Sequence, residues 1–167
     1  MIADPNRRGR ALGAFYLRLE PELWSDVVES GLLPDAEEPR ARAEWECFAL
    51  YACVRGLVAA GGFGEENANA IDAFHDEVAA TWEADPDPPE DAAARRARVA
   101  LRYAEYGGIG QTFEARGPDA VTARLGEVAA RHVSGTDIAH VELGIMLGEL
   151  HEAIAHGAAE SVREAGA

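Results

Sequence analysis

The sequence predicts an all-α protein: a single-domain bundle of five to six mostly antiparallel helices around a central apolar helix at about residues 40–60. Between Cys47 and Ala60 only Arg55 and Gly56 interrupt a run of apolar residues, which is typical of a helix buried on all sides. Apolar residues recur at helical spacing in most other stretches, and no convincing strand alternation is found. A chain of 167 residues can bury a sizeable core as one domain without disulfides or metals.

The N-terminal segment carries the weakest helical signal. Residues 1–10 include Pro5, Gly9 and three arginines without apolar periodicity, so they are predicted to be a flexible N-terminus that precedes a domain spanning 11–167. The pattern FYLRL within residues 11–20 fits a strand as well as a helix, and we interpret it as a helix.

Proline and glycine mark the bounds of the next two helices. Pro21 suits the first turn of a helix that runs to Gly31, a residue well placed as its C-terminal cap. Residues 32–39 are predicted to be a linker. The central helix is predicted to begin near Pro39 and to end at Gly61, and its two apolar faces require neighbours on both sides.

The remaining helices follow from periodicity and from helix-breaking residues. They are predicted at Glu65–Trp82, Glu90 to about Tyr106, Pro118 or Asp119 to His132, and Asp137 to about Arg163. The glycines within 107–110 are expected to kink or end the helix that starts at Glu90, leaving a short continuation over 111–115. Thr136 is expected to cap the last helix, with Asp137 in its first turn.

Composition narrows the class of partner. Thirty acidic residues against fifteen arginines and no lysine give a net charge of -15, which disfavours nucleic acid and anionic membranes as partners. The arginine bias is typical of a GC-rich coding sequence, and salt adaptation also fits the acidity. Cys47 and Cys53 lie on different sides of one helix and are predicted to be free thiols. The absence of an apolar signal segment predicts a cytoplasmic location.

The histidines suggest a transition-metal site as one alternative. On helical wheels four of the five point inward, namely His75, His132, His140 and His151. Helical bundles build metal sites from such histidines together with carboxylates, although buried histidines bonded to backbone carbonyls fit the pattern as well. His140 and His151 lie about three turns apart, roughly 16 Å, so they cannot bind the same ion. The candidate ligands are His75, Asp72, Glu46, His140 and His151.

The helix predicted to start at Glu90 concentrates arginine beside aromatic residues. Arg95, Arg96 and Arg102 lie near Tyr103 and Tyr106, a combination that can hold an anionic or aromatic ligand. The alternative, which we favour, is a belt of internal salt bridges to the surplus acids.

The last helix contains a small-residue motif. Gly144 and Gly148 permit a close helix crossing, either inside the bundle or across a homodimer. Neither glycine-rich segment has the lysine of a P-loop, and no nucleophile lies in a recognisable catalytic pattern. We therefore predict a non-enzymatic protein-interaction or regulatory module without a cofactor, whose partner is another protein or a second copy of itself. The alternatives are a metal- or cofactor-binding bundle and an acidic inhibitor of a basic partner.

Overall fold

The computed structural model describes residues 4–33, 38–138 and 140–166, and within these ranges the chain is an all-α bundle. The predicted fold class is confirmed: six α-helices are present and no described residue lies in a strand. The helices are α1 (Pro5–Glu29), α2 (Glu38–Gly61), α3 (Glu65–Ala84), α4 (Ala92–Phe113), α5 (Pro118–Ser134) and α6 (Val141–Gly166), with a 3₁₀ turn at Glu114–Arg116 between α4 and α5.

Helix α1 begins earlier than predicted. Residues 5–10, expected to be flexible, are helical, and the Asp4 carboxylate accepts a hydrogen bond of 3.0 Å from the Asn6 backbone N–H at its start. Gly9 lies so close to α3 that a Cβ there would clash with the Ala70 carbonyl oxygen. This close approach explains a glycine where sequence analysis expected only disorder. Residues 1–3 lie outside the described residues.

Helix α1 is also longer than predicted, because it continues through Pro21 instead of starting there. The proline removes one backbone hydrogen bond, but its ring lies on the exposed side of the helix. The buried Trp24 and Val27 continue the packed face beyond it. The interpretation of residues 11–20 as a helix is confirmed.

Helix α2 is the central element, as predicted. It contacts each of the other five α-helices, and Trp45, Phe48, Leu50 and Leu57 are completely buried. It ends at Gly61, the predicted residue. Of the predicted linker over 32–39, residues 34–37 lie outside the described residues and residues 38–39 belong to α2.

Helix α4 passes through its glycines without ending. The prediction that residues 107–110 end it is wrong, because the helix is continuous to Phe113. The alternative that they kink it stays a prediction. Each glycine in a helix interior costs up to about 1 kcal/mol relative to alanine. Burial of Tyr106 and Ile109 on the packed side of the same turns offsets that cost.

Helix α6 begins at Val141, so the predicted start at Asp137 is wrong. The Thr136 hydroxyl, expected to cap α6, instead donates a hydrogen bond of 2.8 Å to the Ile138 carbonyl. Gly135, at φ 70°, ends α5 in the left-handed region. The resulting turn places Ile138 at 90% exposure instead of on a helix.

Packing contacts give the directions of the helices. Where α3 packs on α4, His75 meets Tyr103 and Trp82 meets Arg95, so the two helices are antiparallel. Where the non-consecutive α2 and α6 pack, Phe48 meets His151 and Gly56 meets Ala155, so these two run in the same general direction. No described helix is both long enough and apolar enough to cross a membrane.

Candidate functional site

Arginines of α4 form a belt of ion pairs with α2 and α3. Arg95 Nη2 lies 2.7 Å from Glu46 Oε1, which also accepts a hydrogen bond of 3.1 Å from Trp82 Nε1. The Arg95 guanidinium lies over the Trp82 ring, 4.6 Å from its centroid. Arg96 contacts Glu83 at 2.6 Å on the surface. Glu46, predicted as a metal ligand, is therefore held by Arg95 and Trp82.

A second enclosed ion pair of this belt joins Arg102 to Glu44. Two hydrogen bonds of 2.6 and 2.9 Å connect the guanidinium to both carboxylate oxygens. Burial acts to raise the pKa of Glu44, but the hydrogen bonds and charge of Arg102 outweigh it and hold that pKa below its ordinary value. The belt agrees with the favoured interpretation of the α4 arginines, because each predicted ligand-binding arginine contacts a carboxylate of the chain itself.

A cavity of about 760 Å³ lies beside the belt, between α1, α2, α3 and α4. Four arginines line it, and all four bind protein groups: Arg42 contacts Glu20, Arg95 contacts Glu46, Arg98 contacts Glu90, and Arg40 donates to the carbonyls of His132 and Val133. Each of these four guanidinium groups is thus already bonded to a described protein group, three of them to carboxylates and that of Arg40 to backbone carbonyls.

The five predicted metal ligands do not converge. Asp72 and His140 are exposed, and His75 shares a hydrogen bond of 2.9 Å with the Tyr103 hydroxyl. The prediction that His140 points inward is wrong because it precedes α6 instead of lying on it. Across residues 4–33, 38–138 and 140–166, no group of three or more His, Cys, Asp or Glu residues is arranged to hold a metal ion. The metal alternative thus loses the cluster on which it depended.

His151 is the most unusual of the inward histidines. It is completely buried beside the rings of Phe48 and Tyr51, with centroids 5.3 and 6.0 Å away, and neither ring nitrogen has a hydrogen-bond partner. Its Nδ1 lies 3.5 Å from Glu152 Oε1 but without hydrogen-bond geometry. Burial lowers the pKa of His151, the charge of Arg55 adds to this, and Glu152 opposes it. His151 is therefore a neutral core residue in the folded protein near pH 7.

Tyr106, predicted as a ligand contact, belongs to the same buried group. Its side chain is 0% exposed and its hydroxyl has no hydrogen-bond partner. The ring packs against Phe48 and Tyr51, with centroids 5.4 and 5.3 Å away, so it shares both neighbours with His151. Two buried polar groups without partners are thus brought to one part of the core, a juxtaposition that sequence analysis did not detect.

Gly144 and Gly148 form a close helix crossing inside the bundle. A Cβ at Gly126 of α5 would clash with the Gly144 carbonyl oxygen and lie 2.8 Å from the Gly148 nitrogen. A Cβ at Gly148 would approach the Thr122 carbonyl oxygen to 3.3 Å. The motif therefore serves the contact between α5 and α6, and the homodimer prediction loses the feature on which it was based.

An apolar groove lies on the outer side of this crossing. The groove, called here the α5–α6 groove, has a volume of about 1040 Å³. Its large apolar side chains are those of Ile138, Val141 and Ile145, which are 90%, 73% and 58% exposed. Gly144 and Gly148, which are buried against α5, and nearby alanines also line the groove. These three large residues are therefore presented together to solvent.

The rim of the α5–α6 groove is acidic. Its charged and titratable residues are Asp119, Glu127, Asp137, Glu149 and Glu152, with Arg131 and His140. Arg131 lies 2.6 Å from Glu127, so the single arginine of the rim is already paired. Arg124, which lies outside the rim, also binds Glu127, and it is the main cause of the lowered pKa of that residue. The rim thus keeps a negative field around an apolar floor.

This groove was not predicted, although the spacing of apolar residues in the sequence contained part of the evidence for it. Val141 and Ile145 are one helical turn apart and lie off the buried stripe of Leu143, Leu147 and Ile154. A helix predicted to start at Asp137 placed Ile138 on that helix, so its exposure in a turn could not be read from the pattern.

Comparison of the chain with protein-family models, with curated proteins and with solved structures gave no match in any of the three. What the chain can do must therefore be inferred from its own geometry.

Proposed function

We propose that this protein is a non-enzymatic protein-interaction module that receives a helical segment of another protein in the α5–α6 groove. The observation that carries the proposal is the joint exposure of Ile138, Val141 and Ile145 along one groove of about 1040 Å³. Exposed apolar side chains that cluster in one groove indicate a binding site more strongly than the same side chains scattered singly over a surface.

The backbone around the groove favours a helix as the occupant. Both walls are α-helices, whose backbone groups are already bonded within each helix, so they offer no strand edge for a partner to extend. A bound segment must then satisfy its own backbone hydrogen bonds, which an α-helix does and a strand does not. Helix-in-groove recognition, with anchors one turn apart, is the mode that fits.

A different protein is a better occupant than a second copy of this chain. A dimer through the groove would bring two acidic rims together, and each chain carries a net charge of -15. Like charges across an interface oppose association. The proposal therefore retains the predicted protein partner and sets the homodimer aside.

The thiols support a non-enzymatic role. Cys47 and Cys53 are the strongest potential nucleophiles of the chain, and both are buried. Burial raises the pKa of the Cys47 thiol to about 12 and raises that of Cys53 as well. A thiol in this state is not a nucleophile near pH 7.

Site-specific photocrosslinking tests the proposal. A photoreactive amino acid at Ile145 in the groove is compared, in cells that produce the protein, with the same amino acid at Leu101, an apolar residue of α4 that is 62% exposed. We expect a crosslink to one protein from position 145 and not from position 101. The captured protein, once purified, should bind the wild-type chain and lose binding to the Val141→Ser variant.

Two results would contradict the proposal. Equal crosslinking from positions 145 and 101 would show that the groove has no special role. A crosslinked product with twice the mass of the chain would identify a second copy as the occupant.

A further inference from the structure

We infer that the segment received by the α5–α6 groove is a cationic amphipathic helix, with lysine or arginine at each end of its apolar stripe. This inference rests on the proposed function and names the chemistry of the partner. It follows from the charge of the rim, from the positions of the charges along the groove, and from the apolar floor between them.

The charge of the rim selects a cation. Arg131 is the one permanent cation among the groove residues, and it contacts Glu127 at 2.6 Å. Asp119, Asp137 and Glu149 form no ion pair with any other described residue. Three carboxylates on the described part of the rim are thus available to a partner, since Arg131 is already paired with Glu127.

Glu152 adds a fourth rim carboxylate, which remains ionised. Its pKa is lowered to about 2, mainly by the neighbouring His151 imidazole, whose Nδ1 lies 3.5 Å from Glu152 Oε1; burial opposes this shift, and the Thr122 hydroxyl adds to it. The Thr122 hydroxyl donates to Glu152 Oε1 at 2.6 Å, and Arg55 Nη1 lies 3.6 Å from the same oxygen. Glu152 therefore contributes to the field at that end of the groove, although it is partly committed.

The carboxylates lie at both ends of the groove. Because α5 and α6 are antiparallel, Asp119 at the start of α5 lies at the same end as Glu149, as the contact between Thr122 and Glu152 shows. Asp137 lies at the opposite end, two residues after Gly135, the C-terminal cap of α5. Along α6, Val141 and Glu149 are separated by about 12 Å. A bound helix would meet acidic groups at two points separated by roughly two of its own turns.

The middle of the groove selects apolar side chains. Val141 and Ile145 stand one turn apart on α6 and are 73% and 58% exposed. Apolar residues on a partner helix at matching one-turn spacing would bury these two side chains and Ile138. The pattern that fits is an apolar stripe flanked at each end by basic residues.

Synthetic helices of defined charge test this inference directly. The probes are three 18-residue peptides that share the same leucine stripe. All remaining positions are lysine in the first peptide, glutamine in the second and glutamate in the third. Binding is measured by fluorescence anisotropy at low salt and again at higher salt. We expect the leucine–lysine peptide to bind, to weaken as salt screens the rim, and to bind at least tenfold more tightly than the glutamine peptide.

Matched variants locate the bound peptide. The double variant with Asp119→Asn and Glu149→Gln lacks two negative charges of the rim. We expect it to bind the lysine peptide about three- to tenfold more weakly, in line with the modest strength of exposed ion pairs. Val141→Ser together with Ile145→Ser should weaken it by more than tenfold. The control is Glu22→Gln with Asp26→Asn, which removes the same charge from the exposed face of α1 and should leave binding unchanged.

The outcomes separate this inference from the proposed function. Equal binding of the glutamine and lysine peptides would overturn the inference of a cationic partner while the interaction module stands. Equal weakening by the α1 control and by the groove variants would also overturn it, because the peptide would then bind to general acidity. Failure of all three peptides, with a specific crosslink from Ile145 still present, would reject the cationic amphipathic helix alone. Failure of the crosslink as well would reject the proposed function.

Discussion

Arg102 holds Glu44 through two hydrogen bonds, one to each carboxylate oxygen, at 2.6 and 2.9 Å between α4 and the central helix. Both side chains are largely buried, at 17% and 11% exposure. An ion pair in such a place stabilises the fold mainly because neither charge can be left alone there. The Arg102–Glu44 pair therefore connects α4 to the centre of the bundle. This matters because α4 buries few of its own residues.

The first prediction concerns this pair. Replacing Glu44→Ala leaves the Arg102 guanidinium without its bidentate partner, and we expect a loss of about 2 kcal/mol in the free energy of unfolding. The control is Glu83→Ala, which breaks the exposed Arg96–Glu83 pair and should cost less than about 1 kcal/mol. Chemical denaturation of both variants measures the difference. Equal losses would show that enclosure of the Arg102–Glu44 pair does not matter.

The second prediction is that stability falls on acidification because of His151. The folded-state pKa of His151 is lowered by burial, so the folded protein favours the neutral ring and the unfolded chain takes up a proton first. The contribution of the neutral His151 ring to the free energy of unfolding is fully present at pH values above both its folded-state and its unfolded-state pKa. It is lost progressively as pH falls from about 6.5, the unfolded value, towards the lower folded one.

The His151→Leu variant isolates this effect. It removes the buried ring with its two unpartnered nitrogens, so the variant should lose less stability than the wild type between pH 7 and pH 5. Arg55 and Glu152 remain in both proteins. Because His151 also lowers the pKa of Glu152, the two profiles are compared above pH 5, where the titration of His151 dominates the difference. His156→Gln, at a residue whose side chain is 75% exposed, is the matched control and should follow the wild type. A His151→Leu profile parallel to the wild type would refute the prediction.

The third prediction is that both thiols are protected in the native protein. Cys47 and Cys53 are 1% and 0% exposed, and burial raises the pKa of each thiol. A thiol-specific reagent at pH 8 should therefore react slowly with the folded protein and rapidly with both cysteines in denaturant. Fast labelling of one cysteine without denaturant would show that α2 is more open than the structure indicates.

The helices and the core were predictable from sequence because burial follows periodicity. The run from Cys47 to Ala60 identified the central helix, and its end at Gly61 agrees with the structure. Helix ends at α1 and α6 were less predictable because they depend on tertiary contacts. Gly9 lies within a helix because the absence of a side chain lets α1 approach α3 closely. Local sequence rules consider only neighbouring residues and predict flexibility at the same glycine.

The candidate sites were harder to predict, since a helical wheel gives direction but not neighbours. Wheel positions placed His140 and His151 on one arc, yet His140 lies outside the helix and is exposed, while His151 is completely buried. The salt bridges of Arg95 and Arg102 were foreseen as a class, but their partners Glu46 and Glu44 were not. The α5–α6 groove arises from two helices and a turn together, so no single stretch of sequence contains it.

The fourth prediction compares two glycines that sequence rules treat alike. Gly126 lies inside α5 and Gly107 inside α4, and alanine is favoured over glycine in a helix interior by up to about 1 kcal/mol. At Gly107 the methyl group of an alanine would meet no neighbouring side chain or helix within 4 Å, so Gly107→Ala should stabilise the protein by about that amount.

At Gly126 the added methyl group would clash with the Gly144 carbonyl oxygen, and the Gly148 nitrogen would lie only 2.8 Å away. Both atoms belong to the backbone of α6, so no side chain can move aside, and α5 must shift away from α6. We expect Gly126→Ala to cost about 2 kcal/mol or more despite its better helix propensity. Thermal and chemical denaturation of the two variants should give changes of opposite sign. If both alanines stabilise the protein, α5 and α6 do not cross as closely as described, and the floor of the α5–α6 groove must be different.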